Sequence, residues 1–259
     1  MAQEPKYEDR YCAYVDILAF KALVAELRAV PSRLETIRTL LKKIRDPYDE
    51  RYIGFGDTDL RVQSISDAVA FSVRPTPQGF SVLCAALREL SLALLHEGYF
   101  TRGAVCKGLL YHDESMVFGE ALIKAYRLES EVVRFPRIML TKDIVDEATA
   151  SESKDDLVER IKQATDGPYF LHILWRLGML LDVRRERPAD ASEPDPSLSY
   201  YTNMRDKLQL RLDESIDTPK HFEKVQWFAN YWNNTVGAED GLMKRIKGAG
   251  LFQMGFLGE

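Results

Sequence analysis

The chain has 259 residues, 46% of them hydrophobic and 29% charged, so it can bury a substantial core as one domain or as a domain with an appendage. Its 35 Lys and Arg residues against 40 Asp and Glu residues argue against a general nucleic-acid binder, whose surface is usually basic. No apolar run reaches the roughly 18 residues of a membrane helix, and the N-terminal residues do not resemble a signal peptide. Three cysteines without a CxxC pair are typical of reduced thiols, so we expect a cytoplasmic protein that binds neither nucleic acid nor membranes.

Strands and helices alternate along the first part of the chain. In chain order, the hydrophobic patterns predict a strand at 11–18, helices on either side of Pro31, a strand pair over 60–73, a helix over 83–97 that ends at Gly98, a strand pair over 102–118, a helix after Gly119 and a strand at 137–140. This order predicts an α+β domain over residues 1–150, with one mainly antiparallel sheet and helices packed on one face.

Residues 151–259 are predicted to form a helix-rich C-terminal extension. The patterns favour helices at 155–163, 169–181 and 222–233. Between the last two, the segment 184–197 contains three prolines, four acidic residues and three arginines with almost nothing apolar. Such a composition is typical of a mobile loop or linker.

Two carboxylates stand where apolar strands meet loops. Asp16 is near the end of the first strand, in the segment YVDILAF at 14–20, and Asp67 directly precedes the apolar strand that begins at Ala68. A buried charge costs several kcal/mol unless a cation or hydrogen bonds face it. Two strands that each deliver one carboxylate could hold a pair of hard metal ions, which suits phosphoryl chemistry. The alternative is that Asp16 caps the following helix and Asp67 lies in a turn.

Four segments between about residues 11 and 140 carry a resemblance to the catalytic domain of class III nucleotidyl cyclases. They are VDILAF at 15–20, SD at 66–67, RGAVCKG at 102–108 and FGEALIKAYRLES at 118–130. Within that superfamily the patterns are most similar to those of the bacterial pyrimidine cyclases of Pycsar antiphage systems. The C-terminal segment HFEKVQWFANYWN at 221–233 also resembles the ending that many of those proteins carry.

The resemblance implies a class III cyclase-like fold and a cytosolic homodimer. Such an enzyme would convert UTP or CTP into the 3′,5′-cyclic monophosphate and pyrophosphate, with a uridylate cyclase favoured over a cytidylate cyclase. The product would serve as a second messenger in antiphage defence and would activate a downstream effector. A purine cyclase that makes cyclic AMP or cyclic GMP is one alternative, and a catalytically silent, dimerising ligand-binding module is another.

The resemblance also implies two Mn²⁺ or Mg²⁺ ions per site. Their ligands would be Asp16, the carbonyl of Ile17 and Asp67, and the ions would contact the substrate phosphates. Asp57 competes with Asp67 for the second carboxylate position, because many purine cyclases have Gly-Asp there. We favour Asp67, since it leads straight into an apolar strand.

Two arginines are candidates for catalytic cations. Arg127 lies eight residues after Gly119, an offset at which purine cyclases place an arginine that stabilises the transferring phosphoryl group from the other subunit. The Asn that those enzymes carry four residues earlier is Ile123 here, so the group that replaces it is open. Arg102 opens the strand that would face the site. The plain alternatives are an (i, i+4) pair of Arg127 with Glu131 and a surface charge at Arg102.

Four residues are candidates for substrate contacts. Phe20 would pack near the triphosphate, and Lys224 would reach it from the C-terminal region. Purine cyclases recognise adenine through a Lys and an Asp at the positions of Gln63 and Met116, and neither residue can reproduce those contacts. Gln63 can donate and accept at a pyrimidine edge, which favours a pyrimidine substrate and leaves UTP and CTP both open. The alternatives are that Phe20 is a core residue, that Gln63 and Met116 are ordinary sheet residues, and that Lys224 is a solvated lysine.

Overall fold

The computed structural model of the chain describes residues 6–18, 58–65, 68–150, 158–186 and 196–249, together with 20, 24–25, 27–32, 34–35 and 38–39. The chain divides into two compact units, one made of residues 1–94 and 99–173 and the other of residues 95–98 and 174–259. The first unit therefore extends past the expected boundary at residue 150, because two further strands complete its sheet.

A mixed sheet forms the centre of the first unit. Its strands are β1 Glu8–Ile17, β2 Arg61–Ile65, β3 Ala68–Val73, β4 Thr101–His112, β5 Val117–Gly119, β6 Ile138–Leu140, β7 Ile161–Gln163 and β8 Tyr169–Leu171. The order is β2-β3-β1-β4-β6-β8-β7, and β5 pairs with the end of β4. Among the described strands, every pairing is antiparallel except that of β4 with β6. The predicted mainly antiparallel sheet is confirmed.

Helices cover both faces of this sheet. They are α1 Pro77–His96, α2 Glu120–Arg127 and α3 Lys142–Ala150, and α2 continues into a π-helical turn at Leu128–Val132. The ring of Tyr11 on β1 meets Phe80 of α1 edge-on at 5.6 Å, whereas Cys12 packs against Ala121 of α2. Neighbouring strand residues point to opposite faces, so α1 and α2 lie on opposite sides. The predicted α+β class is confirmed, but the helices are not confined to one face, because β3 is buried at all six residues and needs cover on both.

The predicted end of α1 at Gly98 is confirmed by the geometry of the chain there. Gly98 has φ +83°, and its N–H donates to the carbonyl of Leu95, while the N–H of Tyr99 donates to the carbonyl of Leu94. This is the Schellman arrangement, which requires a left-handed residue and so favours glycine. Among the described helices, α1 alone is long and apolar enough to cross a membrane, with a mean hydropathy of 1.4, but 72% of that window is buried, as in the core helix of a globular fold.

The second unit consists mainly of helices α4 Trp175–Glu186, α5 Pro196–Glu214 and α6 Pro219–Val236. The predicted helix at 222–233 is confirmed as part of α6, where Trp232 is fully buried. The side-chain amide of Asn233 pairs with both the N–H and the carbonyl of Ile246, at 2.7 and 3.0 Å, and so ties the following segment to α6. The helix α5 was not predicted, and residues 187–195 of the expected loop lie outside the described residues.

Two predicted helices are wrong over part of their length. Residues 161–163 form β7, and residues 169–171 form β8, which pairs with it in antiparallel register across a turn at Gly167. The helix that was expected from Tyr169 begins only at Trp175. A short apolar run has no periodicity that separates a strand from a helix, and here the sheet edge at β6 provides a partner that favours the strand.

Candidate active site

The central strands β1 and β4 present a row of paired side chains on one face of the sheet. In the register of the two strands, three successive pairs share this face: Cys12 with Cys106, Tyr14 with Ala104, and Asp16 with Arg102. The row runs from the buried thiols of the core to a charged pair at the strand end, where the side chain of Asp16 is 21% exposed. The candidate site is this strand end.

Gly103 allows the two strands to approach closely beside the charged pair. A Cβ atom at this position would lie 2.6 Å from the carbonyl oxygen of Tyr14 and 3.1 Å from the Cα of Val15. Backbone atoms at that distance cannot yield without moving a strand, so the glycine of the RGA segment is required by packing. The N–H of Gly103 donates to the carbonyl of Arg137 at 3.0 Å, which fixes β4 on its other side.

The guanidinium of Arg102 joins two carboxylates. Its Nη2 lies 3.5 Å from Oδ2 of Asp16 and contacts Oε1 of Glu129, and its Nη1 donates to the carbonyl of Val133 at 3.4 Å. The side chain of Glu129 is only 4% exposed, against 21% for Arg102. Two negative charges and one positive charge leave this cluster with one net negative charge. A cluster of that charge at a partly exposed strand end attracts cations.

Glu129 was not singled out from the sequence, although it belongs to the quoted FGEALIKAYRLES segment. It lies on the π-helical turn, which is closed by the N–H of Val133 donating to the carbonyl of Leu128 at 2.9 Å. Leu128 packs against the cluster of Ala104, Val133 and Met139, which holds the turn over β4. No local signal marked it, because its neighbours Ser130 and Glu131 are those of an ordinary solvated helix end.

The structure describes two of the three predicted metal ligands. Asp16 lies near the end of β1 and is partly exposed, and Ile17 follows it as the buried last residue of the strand. Asp67 and its competitor Asp57 lie outside the described residues. Ala68, which follows Asp67 in the sequence, pairs directly with Asp16 across β1 and β3.

The described donors match a hard divalent cation in chemistry. A carboxylate and a backbone carbonyl are oxygen ligands of the kind that Mg²⁺ and Mn²⁺ prefer. Within the described part of the chain, no group of three or more His, Cys, Asp or Glu side chains is placed to hold a metal. An ion here would therefore depend on Asp16, the Ile17 carbonyl, residues outside the described set such as Asp67, and substrate oxygens.

The two candidate arginines differ in their surroundings. Arg102 belongs to the charged cluster and is mostly buried, so it is more than a surface charge at a strand end. Arg127 is the exposed last residue of α2, and its side chain forms no ion pair with Glu131 or any other described residue. Ile123, at the position where purine cyclases have Asn, is 54% exposed on the same helix.

The structure brings two of the substrate candidates together. The Nε2 of Gln63 on β2 donates to the carbonyl of Ser115 at 2.8 Å, and Ser115 precedes Met116 in the turn between β4 and β5. The Oε1 of Gln63 is buried and has no hydrogen-bond partner among the described residues, while Met116 is 50% exposed. Gln63 therefore offers an acceptor beside an exposed apolar side chain.

Asp113 stabilises the turn that carries Met116. Its carboxylate accepts hydrogen bonds from the hydroxyl of Tyr111 at 2.7 Å, from the N–H and hydroxyl of Ser115 at 2.7 and 2.9 Å, and from the N–H of Met116 at 2.8 Å. These bonds, with that of Tyr111 the strongest, hold the pKa of Asp113 well below its usual value. Asp113 therefore stays ionised and able to accept these hydrogen bonds over the whole neutral range.

The other two substrate candidates belong to other elements. Phe20 is half-buried just beyond the end of β1. Lys224 lies on α6 in the second unit and is half-buried.

Several solved nucleotide cyclase structures show limited similarity to the chain. The monomeric guanylyl cyclase domain of the RhoGC fusion protein from Blastocladiella emersonii is 14% identical, over 65% of this chain and 98% of that chain, with a TM-score of 0.47. An adenylate cyclase from Trypanosoma brucei in its monomeric state is 16% identical, over 66% and 92%, with a TM-score of 0.44. A bacterial light-regulated adenylyl cyclase is 19% identical, over 58% and 48%, with a TM-score of 0.41.

No family model matches the chain, and no curated protein matches it either. With TM-scores below 0.5 and identities below 20%, the solved cyclases do not by themselves decide the activity of this chain. The residues at the end of β1 and the start of β4 therefore provide the basis for inferring a function.

Proposed function

We propose that the protein is a metal-dependent nucleotide cyclase that acts on UTP or CTP, with UTP favoured. The observation that carries this proposal is the cluster of Asp16, Arg102 and Glu129, which has a net negative charge at a partly exposed strand end. Asp16 is the residue that the likeness to class III cyclases assigns to a metal, and Arg102 gives the same place a cation suited to phosphate oxygens.

The reaction would form a bond between the ribose 3′-oxygen and the α-phosphorus and break the bond from that phosphorus to the pyrophosphate leaving group, while the proton of the 3′-hydroxyl passes to solvent. Asp16, the carbonyl of Ile17 and Asp67 would hold the divalent ions, which when bound lower the pKa of the 3′-hydroxyl and neutralise the phosphates. Arg102 would contact phosphate oxygens from the same subunit. Arg127, exposed at the end of α2, would contact them from a second subunit.

The proposed pyrimidine preference is supported by the surroundings of Gln63. Its Oε1 is a buried acceptor with no partner among the described residues, and an unpaired buried acceptor costs about 1–3 kcal/mol. A uracil N3–H or a cytosine amino group could satisfy it. The adenine amino group could do so too, so the preference against adenine rests on Met116. Met116, where purine cyclases place an Asp, offers no acceptor of that kind to an adenine amino group.

A homodimer is supported by the exposed apolar side chains around α2. Ile123, Tyr126 and Val132 are each more than half exposed, and Met116 and Phe118 on the neighbouring β4–β5 turn and β5 are 50% and 52% exposed. Apolar residues that are concentrated in this way commonly mark an interface between copies. The dimer would place Arg127 of one subunit near the phosphates held by the other.

By the same likeness, we propose that the cyclic nucleotide is a second messenger made in the cytoplasm during phage infection. It would activate an effector that recognises the cyclic pyrimidine nucleotide. The chemistry of the site does not depend on that role, so the two parts of the proposal can be tested separately.

The proposal is tested by incubating the purified protein with Mn²⁺ and each of the four nucleoside triphosphates, followed by mass spectrometry of the products. We expect cyclic UMP or cyclic CMP, with loss of product when a chelator removes the metal. Cyclic AMP or cyclic GMP as the main product would refute the base preference. Triphosphate binding without any cyclic product would instead favour a catalytically silent module, which the apolar Ile123 at the Asn position already suggests as the second candidate.

A further inference from the structure

Arg102 lies closer to one of its two carboxylate partners than to the other. Its Nη2 contacts Glu129, whereas it lies 3.5 Å from Asp16, beyond the 2.7–2.9 Å of a strong charge-assisted hydrogen bond. Its Nη1 donates to the carbonyl of Val133, one residue beyond the same π-helical turn. The turn therefore holds the guanidinium through two contacts. The contact of Arg102 with Asp16 is the weaker one.

Glu129 is well suited to fix the guanidinium in this position. Its side chain is 4% exposed, and the turn that carries it is anchored by Leu128 in the cluster with Ala104 and Met139. Because Glu129 is buried in an anchored turn, its carboxylate cannot move with the guanidinium. Arg102 therefore takes the position that Glu129 sets.

We propose that Glu129 is a positioning residue that holds the charge of Arg102 away from Asp16, so that Asp16 stays available to a divalent cation. This inference rests on the proposed function, because it concerns the same metal site. Without the Glu129 carboxylate, the ion pair with Asp16 is the most favourable one left to Arg102, so the guanidinium moves closer to Asp16. An incoming cation must then compete with it. Glu129 thereby controls metal affinity without touching the metal.

The test measures Mn²⁺ binding to the full chain in the presence of a non-reactive UTP analogue, which supplies the substrate oxygens. Electron paramagnetic resonance reports the free ion against a control with the analogue alone, and thermal unfolding checks the fold. Glu129→Gln should weaken Mn²⁺ binding about tenfold, the size expected when one nearby charge is lost at an intermediate dielectric constant. Glu131→Gln is the matched control, since it makes the same change of charge at an exposed position on the same turn. It should leave the affinity within about twofold of the unsubstituted protein.

Two further variants separate positioning from the alternatives. Glu129→Asp keeps the charge but is too short to hold Arg102 in place, so it should also weaken Mn²⁺ binding, by about threefold or more. The double variant Arg102→Gln with Glu129→Gln removes the competing guanidinium and leaves no buried charge unpaired, so it should regain an affinity close to that of the unsubstituted protein.

An unchanged affinity in Glu129→Asp would mean that the charge acts through space alone, and the inference would be wrong. Weak binding that persists in the double variant would point to damaged packing and would also overturn it. If the unsubstituted protein itself binds no Mn²⁺, the proposed function fails, and that outcome is distinct from either of the other two.

Discussion

Replacing Asp16 with Asn should abolish the formation of cyclic nucleotide while the protein remains folded. The amide keeps the shape of the carboxylate but cannot hold a divalent ion, and the stabilisation that a metal gives to the phosphoryl transition state is worth several kcal/mol. At about 1.4 kcal/mol for each factor of ten, we expect a loss of at least about 10³ in kcat/KM. The fold should survive, because Arg102 keeps its contact with Glu129.

The same loss is expected for Asp67→Asn, although Asp67 lies outside the described residues. Asp9→Asn is the matched control, because Asp9 is exposed on the same strand and belongs to the opposite face from Asp16. Rates from mass spectrometry at saturating Mn²⁺, together with circular dichroism of each variant, measure the effect. Substantial activity in a folded Asp16→Asn protein would show that this carboxylate binds no catalytic metal.

Acidification should destabilise the first unit well before its carboxylates are protonated. The reason is a buried network at the far end of β1 from Asp16. The hydroxyl of Ser72 accepts from Nε of Arg10 at 2.9 Å and shares a hydrogen bond of 2.8 Å with Nδ1 of His112. Arg10 also binds Asp59 at 2.6 Å, and Arg61 binds Asp59 at 2.8 Å.

The histidine in this network is held neutral. Burial, assisted by the charges of Arg10 and Arg61, lowers the pKa of His112 to about 4, and burial lowers the pKa of His172 to about 3. The negative charges of Asp113 and Asp59 raise the pKa of His112, but by less than burial lowers it.

Because both folded pKa values lie below the unfolded value of about 6.5, the unfolded chain takes up protons first as the pH falls. Stability is therefore complete above pH 6.5 and declines below it. Each histidine approaches a cost of about 1.4 kcal/mol per pH unit once the unfolded imidazole is protonated, so His112 alone costs about 2 kcal/mol between pH 6.5 and 4.5. The titration of Asp59 does not oppose this decline in stability. Burial raises its pKa, but the hydrogen bonds from Arg61 and Arg10 outweigh burial and lower it, so its own loss comes at still lower pH.

Urea unfolding at several pH values, followed by far-ultraviolet circular dichroism, measures this decline. The three tryptophans all lie in the second unit, so fluorescence would follow the wrong part of the chain. His112→Asn keeps a hydrogen-bonding partner for Ser72 and removes the titrating group, and it should reduce the mean slope by about 1 kcal/mol per pH unit between pH 6.5 and 4.5. An identical slope in this variant would mean that His112 is not the group that responds.

Local patterns were sufficient to predict the sheet at the centre of the first unit. The apolar strand before Asp16 and the hairpin before the run at 68–73 followed from period and turn residues, and Gly98 marked the end of α1. A cationic partner for Asp16 could be expected, because a negative charge at the end of an apolar strand needs a cation. Its identity as Arg102 depended on strand register, which the sequence does not contain.

Other features depended on tertiary contacts that no local pattern records. Glu129 was overlooked because its role comes from a π-helical turn that places it over β4, and a turn of that kind has no sequence signature of its own. The strands β7 and β8 were taken for helices because short apolar runs are ambiguous until a neighbouring strand edge is known. The cover on both faces of the sheet likewise follows from packing rather than from the order of elements.

The position of bound Mn²⁺ in crystals of the protein grown with a non-reactive UTP analogue tests the central claim most directly, because the anomalous scattering of manganese locates the ion without assumptions. We predict a manganese peak within coordination distance of a carboxylate oxygen of Asp16, with the carbonyl of Ile17, Asp67 and the analogue phosphates as its other ligands. A nucleotide bound with no manganese at Asp16, and with Arg102 closed on that carboxylate, would contradict it.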